Sequence, residues 1–297
     1  MYDIIIVGAG PAGLTAALFA LRANKKVLLL ESKTYGGQII KATKIENYPA
    51  IDIISGYDFA TNLYNQVMKY NGEIKYETVL RVEPDKTVIT NENTYKAKAV
   101  ILATGSFNRR LNIENEDKYS GKGVSYCASC DGNLFKGKIV AVIGAGNAAL
   151  NDAYYLADLA TKVYIVNKYP EFKSMTNYEE EINKKGNIEV IYNALTEKIN
   201  GDGEKLTSID IVINNEEKKN MEVDGVFIAI GQEPKNELFT NVVDVNERGY
   251  IISEDGVHTK TEGIYVAGDT RVKELRQLTT AVADGSLAAT IAIKELK

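Results

Sequence analysis

The run Ile4-Ile5-Ile6-Val7-Gly8-Ala9-Gly10-Pro11-Ala12-Gly13 decides how this chain folds. Its four leading apolar residues suit a strand buried on both faces. Glycines in G-x-G-x-x-G spacing then turn the chain, and residues 14–22, rich in Ala and Leu, continue as a helix. A second apolar strand, Val27–Leu30, ends at Glu31. Strand, glycine turn, helix, strand and terminal acid together make the dinucleotide-binding fingerprint. Gly8, Gly10 and Gly13, with Pro11 and Ala12 between them, permit the tight turn and let backbone approach a pyrophosphate at the helix N-terminus. Glu31 is placed to accept hydrogen bonds from an adenosine ribose.

Working outward, the same pattern returns. Apolar Ile139–Ile143 leads into Gly144-Ala145-Gly146-Asn147-Ala148-Ala149, a helical stretch over residues 150–160 and a further apolar strand at residues 163–166. Gly8, Gly10 and Gly13 correspond to Gly144, Gly146 and Ala149, and the same offset sets Asn167 opposite Glu31. A second echo pairs Val100-Ile101-Leu102-Ala103-Thr104-Gly105 with Val226-Phe227-Ile228-Ala229-Ile230-Gly231. Past Gly231, Ile264-Tyr265-Val266-Ala267-Gly268-Asp269 reads as one more buried strand ending in an acid, before a last helix over residues 278–296. The expected fold is α/β: two Rossmann-like three-layer nucleotide-binding domains, the second inserted into the first. The boundaries fall at residues 1–112 and 238–297 for the outer domain and 113–237 for the insert. Residues 87–98 and 209–223 alternate and predict hairpins. Asn200-Gly201-Asp202-Gly203 predicts a turn, and Lys184-Lys185 and Lys218-Lys219 predict solvated faces.

Composition narrows the chemistry. The 297 residues are 45% hydrophobic and 25% charged, with a net charge of -5, which does not suit a nucleic-acid surface. No segment reaches the roughly 18 uninterrupted apolar residues of a membrane span. The first residues lack a signal-peptide pattern, so a soluble cytoplasmic protein is expected. There are 2 Cys, 1 His and 0 Trp. The single histidine, His258, cannot build a metal cluster and is expected at the surface or on a strand.

Cys127-Ala128-Ser129-Cys130 spaces the two cysteines as C-x-x-C. Half a zinc knuckle needs further Cys or His ligands, and only His258 is on offer, so no metal is expected. Inert buried thiols fit poorly with redox spacing beside an acid. A redox-active disulfide is the remaining reading, with Asp131 a candidate proton donor.

Cys127-Ala128-Ser129-Cys130-Asp131-Gly132 resembles the C-A-x-C-D-G stretch of the low-molecular-weight thioredoxin reductases, and the resemblance extends over essentially the whole chain. Gly8–Gly13 resembles the family's FAD-pyrophosphate loop and Glu31 its ribose ligand. Gly36-Gly37-Gln38 and Glu46-Asn47-Tyr48-Pro49 resemble its flavin-contacting G-G-Q and E-N-[FY]-P. Ala103-Thr104-Gly105 resembles the A-T-G that closes the first FAD segment. Gly268-Asp269 with Arg276-Gln277 resembles the C-terminal G-D and R-Q that hold ribitol and ring. The resemblance implies FAD as cofactor, thioredoxin as partner and a homodimer. It also implies Cys127 and Cys130 as the redox pair, with Cys130 nearer the flavin and Asp131 protonating the leaving thiolate.

The resemblance breaks at two places, both in the second unit. NADPH-dependent members carry H-R-R-x-x-F-R, whose basic residues grip the 2′-phosphate; here the stretch is Asn167-Lys168-Tyr169-Pro170-Glu171-Phe172-Lys173. Lysine does not reproduce arginine's bidentate fork, and Glu171 repels phosphate. The family's V-E-E-A is Leu150-Asn151-Asp152-Ala153. An NADH site would place Asp or Glu at the strand end, where Asn167 stands. The donor readings are therefore reduced ferredoxin, as in the ferredoxin-dependent flavin thioredoxin reductases, or NAD(P)H at an atypical site formed by Gly144, Gly146, Asn147, Ala148 and Ala149. A third reading is a redox sensor that works by partner binding; the complete C-x-x-C-D-G speaks against it. Given the net charge, an acidic ferredoxin would require a local Lys-rich face.

Overall fold

The computed structural model describes residues 1–42, 45–172, 181–182 and 184–296. Lys173 of the atypical stretch lies outside them. The chain separates into two compact units, residues 1–107 with 233–297 and residues 108–232. Both divisions lie a few residues earlier than the sequence places them, and the hydrogen bonds say why. Arg109 donates its backbone N–H to Gly231 O within the second unit, at 2.9 Å. Asn236 Nδ2 donates to Gly249 O and Thr270 O within the first.

In the first unit, strands Glu73–Lys75, Val27–Leu30, Tyr2–Val7, Thr94–Leu102 and Ile264–Val266 lie side by side in that order, all parallel. Strand side chains alternate between faces, which divides Ile4-Ile5-Ile6-Val7 in two. Ile4 and Ile6 pack under the helices Pro11–Arg22, Gly56–Lys69 and Leu278–Glu295, against Leu14, Ala17, Val67 and Ala288. Ile5 and Val7 face the other way, against Val82, Val88, Phe239, Val242 and Ile251. All four are at most 5% exposed, and each aliphatic side chain so buried contributes roughly 1.5–3 kcal/mol before entropy is counted. The second layer on that side is the antiparallel extension Val79–Val82, Thr87–Thr90 and the start of Thr94–Leu102, the predicted hairpin.

The second unit repeats the plan. Ile188–Ile191, Lys162–Val166, Ile139–Ile143, Gly225–Ile228 and Val124–Ser125 form a parallel sheet. Val140 and Val142 pack on the helix Asn147–Ala157 through Ala149, Leu150, Ala153 and Leu156. Ala141 and Ile143 pack on a three-stranded antiparallel sheet, Ala194–Gly201, Leu206–Ile213 and Glu217–Glu222. The predicted turn sits slightly later than expected, because Asn200 and Gly201 still pair with the next strand and Asp202 caps the reversal through Glu204 N and Lys205 N. Among the described residues no helix is long and apolar enough to cross a membrane.

Candidate cofactor and redox sites

The first glycine turn is shaped by close backbone approach. Gly8 has φ +104°, and a Cβ there would stand 2.4 Å from Ala103 O; a Cβ on Gly13 would meet Gly8 O at 1.8 Å. Only glycine allows strand, turn and helix to come this near. Gly10, by contrast, has just Gly37 Cα near its missing Cβ, at 3.9 Å. Pro11 occupies the first turn of the helix, where its absent N–H costs no hydrogen bond. Glu31, at the end of the second strand, accepts Ala9 N–H on Oε2 at 2.9 Å and Lys33 N–H on Oε1 at 3.0 Å. Its carboxylate is thereby fixed beside the turn.

Gln38 is the second residue of the short helix Gly37–Lys41, which Gly36 and Gly37 enter at positive φ. Asn47 Nδ2 donates to Gln277 Oε1 at 3.2 Å, joining two motifs 230 positions apart. Gln277 also caps the last helix in a reciprocal box with Thr280. Thr104 Oγ1 meets Thr270 Oγ1 at 2.9 Å, and Gly105 turns at φ +70° with open space around it. Arg276 lies over the Tyr250 ring at 3.9 Å and donates to Asp269 O and Arg271 O.

Sequence reasoning missed Asn236 and Asp284. Asn236, 1% exposed, accepts from Thr270 Oγ1 and ties Gly249 to the strand-end loop. Asp284, 7% exposed, accepts Gly268 N–H, Arg271 and Lys273, fixing the loop that carries Asp269. Those cations hold its carboxyl below the usual range against the opposing effect of burial. Asp269 is the odd group. Its Oδ1 is buried without a hydrogen-bond partner, with Lys273 Nζ 3.8 Å away, and burial pushes its carboxyl upward. A buried acceptor left open in this way suits a ligand hydroxyl, so the residues present fit a dinucleotide with a polyol chain.

In the second unit, Cys127 and Cys130 are joined as a disulfide. Cys127 is extended and caps the helix Ala128–Asp131, whose Cys130 and Asp131 N–H groups donate to Cys127 O. Ala128 anchors this turn in the core beside Ala149 and Leu156. Burial raises the Asp131 carboxyl, and a hydrogen bond from Ser125 opposes that rise. A half-buried acid whose carboxyl is raised above its ordinary range, adjacent in sequence to a disulfide, is suited to hold and give up a proton there.

The second glycine turn keeps its shape at Gly144, where a Cβ would stand 2.5 Å from Ala229 O and 2.8 Å from Ala149 Cβ. Gly146 caps the helix that begins with Asn147 and Ala148, and nothing lies within 4 Å of its missing Cβ. Beyond the second strand, Asn167 is fully buried. Its Oδ1 accepts Tyr169 N–H at 2.9 Å and its Nδ2 donates to Glu171 O at 3.0 Å. Lys168 lies over the Tyr169 ring, 5.0 Å from its centroid. The amide opposite Glu31 is thus engaged by its own loop.

A chain with two dinucleotide-type units, one bearing a disulfide next to a raised acid, falls in the class of disulfide oxidoreductases. The model of the pyridine nucleotide-disulphide oxidoreductase family matches residues 2–285. The chain belongs to that family, in its low-molecular-weight thioredoxin reductase branch. It is 39% identical to a thioredoxin reductase of Listeria innocua over 304 aligned positions, covering 100% of this chain and 95% of that protein. It is 38% identical to a Clostridium pasteurianum protein described as a 34.2 kDa protein in a rubredoxin operon, covering 98% and 96%. A crystal structure of thioredoxin reductase from Streptococcus pyogenes superposes with a TM-score of 0.94 at 36% identity, covering 99% of this chain and 97% of that one.

Proposed function

We propose that this chain is an FAD-dependent thioredoxin reductase that takes its electrons from reduced ferredoxin. Gly8, Gly10, Pro11, Ala12 and Gly13 hold the FAD pyrophosphate, and Glu31 accepts from the adenosine ribose. Gly37, Gln38, Asn47, Thr104, Gly105, Arg276 and Gln277 line the flavin portion, and Gly268 and Asp269 take the polyol hydroxyls, which the open Asp269 Oδ1 supports. Bound FAD supplies two-electron redox chemistry. The Cys127–Cys130 bond breaks on taking up two electrons and two protons, giving two thiols. One cysteine, as thiolate, then attacks the disulfide of thioredoxin and forms a mixed disulfide. The other displaces reduced thioredoxin and restores the Cys127–Cys130 bond, while Asp131 gives its proton to the departing thiolate. The reading includes a homodimer working in the cytoplasm.

Asn167 carries the donor assignment. An NADPH site needs cations free at this strand end, and an NADH site needs an acceptor free for the 2′-OH. Asn167 has both its polar atoms bonded to Tyr169 and Glu171 instead. The Clostridium pasteurianum relative, described by its place in a rubredoxin operon, is in keeping with a protein electron donor. The second reading, an NAD(P)H enzyme with an atypical site, draws on the open space at Gly146. Anaerobic titration with flavin absorbance as readout separates the two. The ferredoxin reading expects bleaching by photoreduced ferredoxin and none by NADPH or NADH. Rapid bleaching at micromolar NADPH overturns it.

A further inference from the structure

Ser125 ends the short strand Val124–Ser125, two residues before Cys127, and is 5% exposed. Its hydroxyl stands among three groups of the redox turn. Cys127 N–H donates to Oγ at 3.1 Å; Oγ donates to Asp131 Oδ2 at 2.6 Å; and Cys127 O lies 3.4 Å from the same Oγ. Among the described residues the Asp131 carboxyl has this one side-chain partner. A serine hydroxyl has one proton to give and two lone pairs to fill, so it cannot serve both acceptors at once.

We infer that Ser125 is a positioning residue for the exchange reaction: a hydroxyl rotor that keeps Asp131 hydrogen-bonded in both of its protonation states. When Asp131 is ionised, the Ser125 proton points to Oδ2 and Cys127 N–H fills one lone pair. When Asp131 is protonated, its own O–H donates to Ser125 Oγ, filling the second lone pair, and the Ser125 proton turns to Cys127 O. Neither state leaves a half-buried oxygen stranded, which would otherwise cost the acid its proton mobility. No atom leaves Ser125 in this exchange; one proton moves from Asp131 to the leaving thiolate, and the hydroxyl reorients. Without the hydroxyl, burial acts on the carboxyl unopposed, and Asp131 stays protonated to higher pH.

The inference rests on Asp131 being the proton donor proposed above, and the test separates the two. Single-turnover exchange between the reduced holoenzyme and oxidised thioredoxin is followed against pH for wild type, Ser125→Ala, Ser125→Cys, Ser125→Thr and Asp131→Asn. Circular dichroism and retained flavin verify folding. Ser125→Ala should move the Asp131-dependent limb upward by roughly one pH unit, the excess of a hydrogen bond to the ionised carboxylate over the one made by the neutral acid. Ser125→Cys, with its weak S–H, should move it in the same direction, and Ser125→Thr should restore it. A rate loss equal at every pH, or a limb that stays in place in both Ser125→Ala and Ser125→Cys, overturns the rotor. Should Ser125→Ala fail to fold, the Cys and Thr profiles decide alone. If Asp131→Asn keeps the wild-type limb, the proton-donor reading itself fails.

Discussion

Replacing Asn167 by alanine separates a loop fastener from a nucleotide ligand. The substitution removes the acceptor of Tyr169 N–H and the donor to Glu171 O. Each bond contributes about 1 kcal/mol net, and a stranded partner costs about 1–3 kcal/mol where water cannot reach it. Glu171 is exposed, so its carbonyl recovers a water; Tyr169 is half-buried and recovers less. The expected loss is therefore about 2–3 kcal/mol of stability. Equilibrium urea unfolding followed by far-ultraviolet circular dichroism measures it, since the chain has 0 Trp to serve as a fluorescent probe. Asn167→Asp should be at least as costly, because a carboxylate oxygen would then face Glu171 O at a site with no solvent exposure. Ferredoxin-driven turnover should survive in Asn167→Ala at temperatures where it remains folded. A stability change under about 0.5 kcal/mol, joined to a fall in affinity for NADPH, would refute the reasoning and return Asn167 to the nucleotide site.

Two further outcomes follow from the same geometry. Cys127→Ser and Cys130→Ser should each retain flavin and lose thioredoxin reduction by three orders of magnitude or more, on the order of what removing an activated nucleophile costs; turnover within tenfold of wild type in both would sink the disulfide mechanism. His258 bonds Asp255 through Nδ1 and Glu295 through Nε2, and the Asp255 carboxylate, then Glu295, raises its pKa. The stability this contributes is complete below the unfolded value of about 6.5 and is lost as pH rises through the higher folded value. His258→Gln should flatten that part of the melting-temperature profile; an unchanged slope would show the cluster to be screened by solvent.

What the sequence discloses depends on how local the physics is. Ile4-Ile5-Ile6-Val7 reveals a doubly buried strand because both faces are apolar, and the two core clusters on either side of it follow. The C-x-x-C turn is equally local: its hydrogen bonds span residues 125 to 131. Asn236 was invisible because its partners Thr104 and Thr270 lie 132 and 34 positions away, and one asparagine in an irregular segment has no periodicity to betray it. Asp284 reads as an ordinary charge within an alanine-rich helix; only the folded chain brings Gly268, Arg271 and Lys273 to it. Phe239, Val242 and Val243 complete a layer without forming a long strand or helix, so no pattern of 2 or 3.6 announces them. In sequence Asn167 is only a position without the expected acid; its burial and bonds into its own loop give the position a structural use.

On the ferredoxin reading no nucleotide binds at the second glycine turn, yet the turn is kept, and its two glycines have different reasons to exist. At Gly144 a Cβ would press on Ala229 O and Ala149 Cβ, so the packing of strand, helix and following strand requires glycine whatever binds. At Gly146 the backbone is extended, φ -106° and ψ -179°, a conformation open to any residue, and no atom lies within 4 Å of the missing Cβ. In the fingerprint this is the glycine that lets a pyrophosphate reach the backbone. Gly146→Ala is therefore the discriminating substitution. It should cost about 1 kcal/mol or less, the difference between Gly and Ala at a helix N-cap, whereas Gly144→Ala should prevent native packing of the unit. If ferredoxin is the donor, Gly146→Ala turns over at the wild-type rate; a selective rise of tenfold or more in KM for NADPH, in a variant that remains folded, would show that a nucleotide does approach this turn.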